Sequence, residues 1–241
     1  MVKMPSLKEM MKAGLHFGHK SSKWNPKVKP YIYTIRNGVH IFDLEKTQKT
    51  MEKALQEVAE TASKGGVVLF VGTKKQGRDI VKKYAIEAGM PYVTESWIGG
   101  TVTNFAEINK LVKKLDQMEE AEKKDDYEKK YTKWERVQFG VEMDKLRLAI
   151  GGIRAMDKLP DLIYIIGVKD EKTAVREAQK KGIRTVGVVD SNADPESVDF
   201  PIIANDDAVK SIEMVTKLVA EAVAEGKKEA VSANDEVGKK I

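Results

Sequence analysis

The 241-residue chain is 41% hydrophobic and 33% charged, with a net charge of +5. It has no cysteine, which excludes disulfides, thiolate metal centres and a cysteine nucleophile. Its longest apolar runs, at 67–71 and 162–166, are too short to span a bilayer, and no apolar signal region follows the first residues, so a cytoplasmic protein is expected.

Charge is unevenly placed. Residues 1–40 carry eight Lys or Arg against one acid, Glu9, so this segment is +7 and the rest of the chain sums to −2. All three histidines, His16, His19 and His40, lie in it. A basic cluster on one segment is the footprint of a polyanion partner, nucleic acid being the commonest. Pro26 and Pro30 disfavour helix over 23–31, so this stretch reads as a rigid loop presenting Lys23, Lys27 and Lys29, with Trp24 and Tyr31 at its ends. Trp24 reads better as a core anchor than as a stacking platform for bases. Residues 31–36 and 39–42 read as a β-hairpin closed by Asn37-Gly38.

From Leu44 the pattern turns helical, with Met51, Leu55, Val58 and Ala62 on one face. A buried strand follows at 67–71, then a helix at 74–88 and a short strand at 91–94. After an interruption the alternation resumes: a strand at 162–166, a helix near 170–181, a strand at 185–189, a short strand at 202–203 and a last helix over about 206–224. Apolar strands alternating with helices predict an α/β fold: a doubly wound, Rossmann-like parallel sheet of five strands.

The interruption, 104–150, holds two heptad seams: Ile108, Leu111, Leu115 and Met118, then Phe139, Met143, Leu146 and Ile150. A charged break at 123–130 separates them, which predicts an antiparallel coiled-coil hairpin. The chain thus divides into 1–103 (basic arm and first part of the α/β domain), 104–150 (hairpin), 151–225 (second part) and a tail, 226–241, expected to be disordered for want of an apolar pattern.

The loop Gly72-Thr-Lys-Lys-Gln-Gly77 follows the first sheet strand. A phosphate-binding P-loop needs Lys and then Ser or Thr after its last glycine, and Arg78 and Asp79 stand there instead. Lys74, Lys75 and Arg78 near a helix start remain suited to phosphate. A nucleotide-binding α/β enzyme built on this loop is therefore the alternative function. No Ser/His/Asp triad is legible. The adjacent glycines of Trp97-Ile-Gly99-Gly100-Thr101 permit close backbone approach, and Thr101 offers a hydroxyl to sugar or phosphate; Thr103 or Asn104 is expected to cap the next helix. Asp190 follows a strand end and Asp206 precedes the last helix, where turn formation and capping are the default roles. If the arm folds back over the sheet edge, His16 joins Asp190 and Asp206 as three ligands suited to a divalent cation such as Zn²⁺, with Mg²⁺ the other choice.

Taken in order, Gly14-Leu-His-Phe-Gly-His19, Trp24-Asn-Pro-Lys-Val-Lys-Pro-Tyr-Ile32, Arg36-Asn-Gly-Val-His-Ile-Phe-Asp-Leu44, Leu69-Phe-Val-Gly-Thr-Lys-Lys-Gln76, Trp97-Ile-Gly-Gly-Thr101, Val189-Asp-Ser-Asn-Ala-Asp-Pro195 and Asn205-Asp-Asp-Ala208 resemble the bacterial small-subunit ribosomal protein S-two family. The resemblance spans about residues 6–222. It implies a structural, non-enzymatic RNA-binding protein with a Rossmann-like domain and an inserted coiled coil. Its implied partners are small-subunit ribosomal RNA and neighbouring ribosomal proteins, including the large OB-fold protein that captures messenger RNA. No membrane, no small-molecule substrate and no required cofactor are expected, although relatives can hold a divalent ion near His16, Asp190 and Asp206. The RNA contacts expected here are Lys20, Lys23, Trp24, Lys27, Lys29, Arg36, Asn37, Lys74, Lys75, Arg78 and Thr101. Relatives usually carry Asn and Arg just before the Trp-Gly-Gly motif; Thr94 and Ser96 stand here, which removes one phosphate contact.

Overall fold

The computed structural model describes residues 2–124 and 131–238, with side chains through Ala230. Helix α1 (Leu7–Ala13) opens on a reciprocal cap between Ser6 and Glu9 and ends at Gly14. The arm follows: β1 (Phe17–Lys20), two 3₁₀ turns (Ser21–Lys23 and Pro26–Tyr31), β2 (Ile32–Arg36) and β3 (Val39–Phe42). These strands form an antiparallel sheet in the order β1-β3-β2. Arg36 lies opposite Val39 across the turn, and Asn37 and Gly38 take φ of 51° and 73°. That is the left-handed geometry an Asn-Gly hairpin turn requires.

The stretch 23–31, expected as a rigid non-helical loop, is largely 3₁₀ turn. Proline is tolerated in a first helical turn, where its missing N–H has no partner to lose. Asn25 caps the second 3₁₀ turn by accepting from the Lys27 N–H at 3.0 Å, and Val28 is buried beneath it.

The body alternates α2 (Leu44–Ser63), β4 (Val68–Val71), α3 (Arg78–Glu87), β5 (Tyr92–Val93), α4 (Phe105–Glu122), α5 (Lys133–Ile150), β6 (Leu162–Ile166), α6 (Lys172–Lys181), β7 (Arg184–Val189), β8 (Phe200–Ile203) and α7 (Val209–Gly238). The sheet order β5-β4-β6-β7-β8 is parallel throughout. This is a doubly wound sheet whose strand order reverses beside β4, and its ligand-accessible edge lies at the strands' carboxyl ends. Side chains alternate across it. Leu162, Tyr164 and Ile166 face a core shared with α2, α3 and α7, while Ile163 and Ile165 face one shared with α4, α5 and the arm residues Val28 and Phe42.

Helix α3 starts at Arg78 rather than at residue 74, because residues 74–77 form a turn in which the Lys74 carbonyl accepts from the Gly77 N–H at 2.9 Å. In the interruption, Ile108, Leu115 and Met118 of α4 are buried with Met143 and Ile150 of α5. Lys114 and Glu142 join the two helices at 2.5 Å, and Glu119 and Arg147 at 2.8 Å. The break between them falls largely on 125–130, outside the described residues, so two packed helices are described and the expected coiled-coil hairpin is not established. Trp134, on the first turn of α5, is 70% exposed.

The tail departs most from expectation. Instead of ending near 224, α7 continues to Gly238. The Ala, Lys and Glu content read as disorder belongs equally to strong helix formers, and the added turns have partners. Lys227 donates to the Ala88 carbonyl at 2.7 Å, and Gly226 faces α2, where a Cβ would fall on the Ala59 carbonyl and lie 2.8 Å from Ala62 Cβ. Gly226→Ala should therefore force α7 off α2, cost about 1–3 kcal/mol and lower the melting temperature by several degrees. Thermal unfolding followed by circular dichroism checks this; an unchanged transition would mean that the helix pair is not close-packed there.

Candidate nucleic-acid interface

The arm is fastened to the carboxyl edge of the sheet by backbone geometry. The Asn205 side chain donates to the Phe17 carbonyl at 2.7 Å and its N–H to the Leu15 carbonyl at 3.1 Å. The His19 N–H donates to Ser191 Oγ and the Asn25 N–H to the Ser191 carbonyl, both at 2.7 Å. Gly18 makes this approach possible, since a Cβ there would lie 2.8 Å from Ser191 Oγ.

Behind this seam lies a charge cluster. Asp190 and Asp206 are fully buried. His19 reaches Asp190 through Nδ1 at 2.9 Å and Asp207 through Nε2 at 3.2 Å. The Lys74 ammonium bridges Asp206 at 2.7 Å, Asp207 at 2.9 Å and Asp170 at 3.3 Å. Burial and the neighbouring Asp190 push the Asp206 carboxyl up to about 6, with Lys74 pulling the other way. The hydrogen bond to Asp190 holds the His19 imidazole above its ordinary value against partial desolvation. Burial works to lower the Lys74 ammonium, but Asp206 and Asp207 outweigh it and hold it above the usual lysine range. Asp206 Oδ2 is buried and has no hydrogen-bond partner.

The expected trio of His16, Asp190 and Asp206 is brought together only in part. Asp190 and Asp206 do meet, the Asp206 N–H donating to Asp190 Oδ2 at 3.3 Å. The histidine that faces them is His19. His16 lies against the Phe17 ring, with centroids 4.0 Å apart, and its Nδ1 is buried without a partner. Asn205, rather than Asp206, accepts from the N–H groups of Asp207 and Ala208 at 2.8 and 2.7 Å, closing the turn that leads into α7 at Val209.

The expected RNA contacts separate into two groups. Lys20, Lys23, Lys29, Arg36 and Lys75 are exposed and make no ion pair among the described residues. Lys27 is held by Asp194 at 2.9 Å and Glu196 at 2.6 Å, Lys74 lies inside the carboxylate cluster, and Arg78 pairs with Glu95 at 2.9 Å. Trp24 is half-buried, its ring 5.0 Å from that of His40, and Asn37 is exposed on the hairpin turn. A nucleotide phosphate at the 72–77 loop would meet a lysine already shared among three carboxylates, which opposes the nucleotide-enzyme alternative.

The Trp-Gly-Gly loop is likewise occupied from within. Glu177 of α6, 8% exposed, accepts from Trp97 Nε1 at 3.1 Å, the Gly100 N–H at 2.7 Å, the Thr103 N–H at 3.1 Å and Thr103 Oγ1 at 2.9 Å, and from Val102 N–H at 3.3 Å. The convergent N–H groups that would suit a phosphate hold this carboxylate instead. Thr101 is 1% exposed, its hydroxyl donating to the Ile98 carbonyl, so it cannot touch RNA as expected. Neither Thr103 nor Asn104 caps α4 through its side chain.

The family model described as Ribosomal protein S2 matches residues 10–226. Among curated relatives, the small ribosomal subunit protein uS2 of Fusobacterium nucleatum is 43% identical over 92% of this chain and 90% of its own length. The protein of the same name from Bifidobacterium adolescentis is 47% identical over 92% and 81%, and that from Bifidobacterium longum 45% identical over 97% and 83%. The chain belongs to the ribosomal protein S2 family. This is a family of structural proteins of the small ribosomal subunit and not of enzymes.

Sequence reasoning missed Glu177, although an acid between Val175 and Ala178 on the inner side of an amphipathic helix is a signal. Burial pushes the Glu177 carboxyl up, but hydrogen bonds from Gly100, Trp97 and Thr103 prevail and leave it below the ordinary glutamate value. Its stabilising contribution is thus present above the unfolded pKa of about 4.3 and lost as pH falls through the folded one. Glu177→Gln should cost about 2–4 kcal/mol at neutral pH, by setting an amide against backbone donors, and should flatten the acid limb of the stability profile. Urea unfolding at pH 7 and pH 4 checks both; an equal loss at the two pH values would remove the charge from this account.

Proposed function

We propose that the chain is an RNA-docking constituent of the small ribosomal subunit, in which the unpaired cations of the N-terminal arm neutralise ribosomal RNA phosphates. The observation carrying this reading is the division among the cations. Lys20, Lys23, Lys29 and Arg36 stand exposed and unpaired on an arm pinned to the sheet, while Lys27, Lys74 and Arg78 are consumed internally. A fixed array of free cations binds phosphate without reading sequence, and its affinity falls with salt. Neighbouring small-subunit proteins, including the large OB-fold protein that captures messenger RNA, are the protein partners of this reading. Its support is the exposed apolar surface on and beside the arm, at Met11, Phe17, Tyr33 and Ile35. No helix among the described residues is long and apolar enough to cross a membrane, in keeping with a cytoplasmic, ribosome-bound protein.

Lys20→Glu, Lys23→Glu and Lys29→Glu combined should abolish co-sedimentation with small subunits on a sucrose gradient while leaving the isolated fold unchanged by circular dichroism. Full incorporation of that variant would sink the arm as the docking element.

A divalent cation at the sheet edge belongs to the same reading, with His19 in place of His16. One donor atom from each of His19, Asp206 and Asp207 lies within 4.8 Å of the others, and the orphaned Asp206 Oδ2 is an acceptor that a cation would satisfy. One imidazole with carboxylates and water suits Zn²⁺. Elemental analysis of protein dialysed against Zn²⁺ should find about one equivalent in the wild type and in His16→Ala, and none in His19→Ala. Retention of zinc by His19→Ala would exclude the cluster as its site.

A further inference from the structure

A second group of cations stands away from the arm. Lys169 follows β6, and Lys172 and Arg176 occupy the first turns of α6. All three are exposed, and none makes an ion pair or side-chain hydrogen bond among the described residues. They border a cavity of about 360 Å³ at the carboxyl ends of β6 and β7, whose apolar wall includes Val175 and Ala193. That volume lies within the ordinary range for small-ligand sites, about 300–1,000 Å³, and open α/β sheets gather ligands at this edge.

The acids nearby are already engaged. Asp194 borders the cavity, but its Oδ2 holds Lys27 at 2.9 Å and its Oδ1 accepts from the Glu196 N–H at 3.0 Å. Asp170, beside Lys169, is 3.3 Å from Lys74. Glu171, at the N-cap of α6, turns its carboxylate to Thr73 Oγ1 at 2.5 Å and leaves the helix start without a side-chain cap. The cavity therefore presents three uncompensated cations and a helix N-terminus, a setting that favours an anion. A different kind of vacancy in hydrogen bonding accompanies them: Asn192, on the cavity wall, has a buried Oδ1 with no partner. A buried acceptor without a donor among the described residues is costly, and with Asn192 itself partly exposed, turning its amide into the cavity would let a ligand hydroxyl or amino group satisfy it.

Anion, hydrogen-bond donor and flat apolar surface together describe a phosphorylated nucleoside. We propose that this cavity takes one nucleotide of an RNA strand, its phosphate on Lys169, Lys172 and Arg176 and its sugar or base donating to Asn192 Oδ1. The proposal rests on the RNA-docking reading and adds a defined subsite to it. An RNA strand is favoured over a free nucleotide because the cavity is continuous with the arm. Asn25 of the arm lines it, between the exposed Lys23 and the anchored Lys27, and the Asn25 N–H is tied at 2.7 Å to the carbonyl of Ser191, the residue before Asn192 of the cavity wall.

The test uses small subunits reconstituted with the full chain, wild type or carrying Lys169→Glu, Lys172→Glu and Arg176→Glu, and measures protein retention across a salt series. The triple variant should dissociate at lower salt, with a log–log salt slope shallower by about 0.7, the value for one phosphate neutralised on single-stranded RNA. Asn192→Ala should weaken retention roughly 3- to 10-fold with the slope unchanged, as one lost neutral hydrogen bond requires. If the triple reversal fails to fold by circular dichroism, Lys169→Ala with Arg176→Ala reads the same loss of one phosphate contact, with a slope shallower by at most about 0.7. Equal retention and slope for wild type and folded variants would overturn the subsite while leaving the arm's role standing. Failure of the wild type to join subunits would overturn the RNA reading and the subsite with it. Equilibrium dialysis of the isolated protein against AMP separates the remaining source: saturable binding lost in the triple variant, together with retention on subunits equal to that of the wild type, would assign the cavity to a free nucleotide and overturn the strand.

Discussion

Two carboxylates buried at the carboxyl edge of the sheet, Asp190 and Asp206, set the terms for what surrounds them. A desolvated carboxylate must be paired or neutralised. Here the compensation comes from two distant parts of the chain, His19 of the arm and Lys74 of the loop after β4. The need to satisfy buried charge thus decides where the arm lies, and the arm's position decides which cations face solvent. Asp207 reinforces the arrangement by touching both His19 and Lys74.

Lysines that count equally in a net charge have unequal roles once the chain is folded. A paired lysine such as Lys27 spends its field on Asp194 and Glu196, and bringing it to phosphate would first require breaking those contacts. An unpaired one such as Lys23 offers its whole charge. The interface is better described by the residual field after internal pairing than by the density of basic residues along the sequence. By that measure the proposed interface comprises the outer face of the arm together with the mouth of the cavity at the start of α6.

Much of the fold is legible in the sequence because its signals are local. Residues 162–166 read as a strand buried on both faces, Asn37-Gly38 as a hairpin turn, and the step from a continuous apolar run to a period-3.6 pattern marks the strand–helix junctions. The site is less legible because its partners are far apart in sequence. His16 and His19 belong to one short motif, and composition cannot say which of them meets residues 190–207. The loop at 97–103 reads as a phosphate-friendly run of small residues until a carboxylate from residue 177 fills it. Arg78 and Lys74 look like free cations until their acids are placed beside them. The continuation of α7 escapes notice for a related reason: its support comes from Ala59 and Ala88, on other helices, and not from an apolar stripe of its own.

The fastenings of the arm have a consequence in time as well as in space. Its anchors are the backbone and side chains of Ser191, Asn205, Asp190 and Asp207, all in the last quarter of the chain. Synthesis delivers the arm first and these anchors last, and folding during synthesis otherwise proceeds from the N-terminus. The most basic stretch of the protein therefore emerges without the scaffold that orients it, and its lysines meet the surrounding polyanions as a loose polycation before they become a shaped surface. Completion of the sheet through β8 is the event that converts the one into the other, so the chain acquires its ordered binding face only at the end of its own translation.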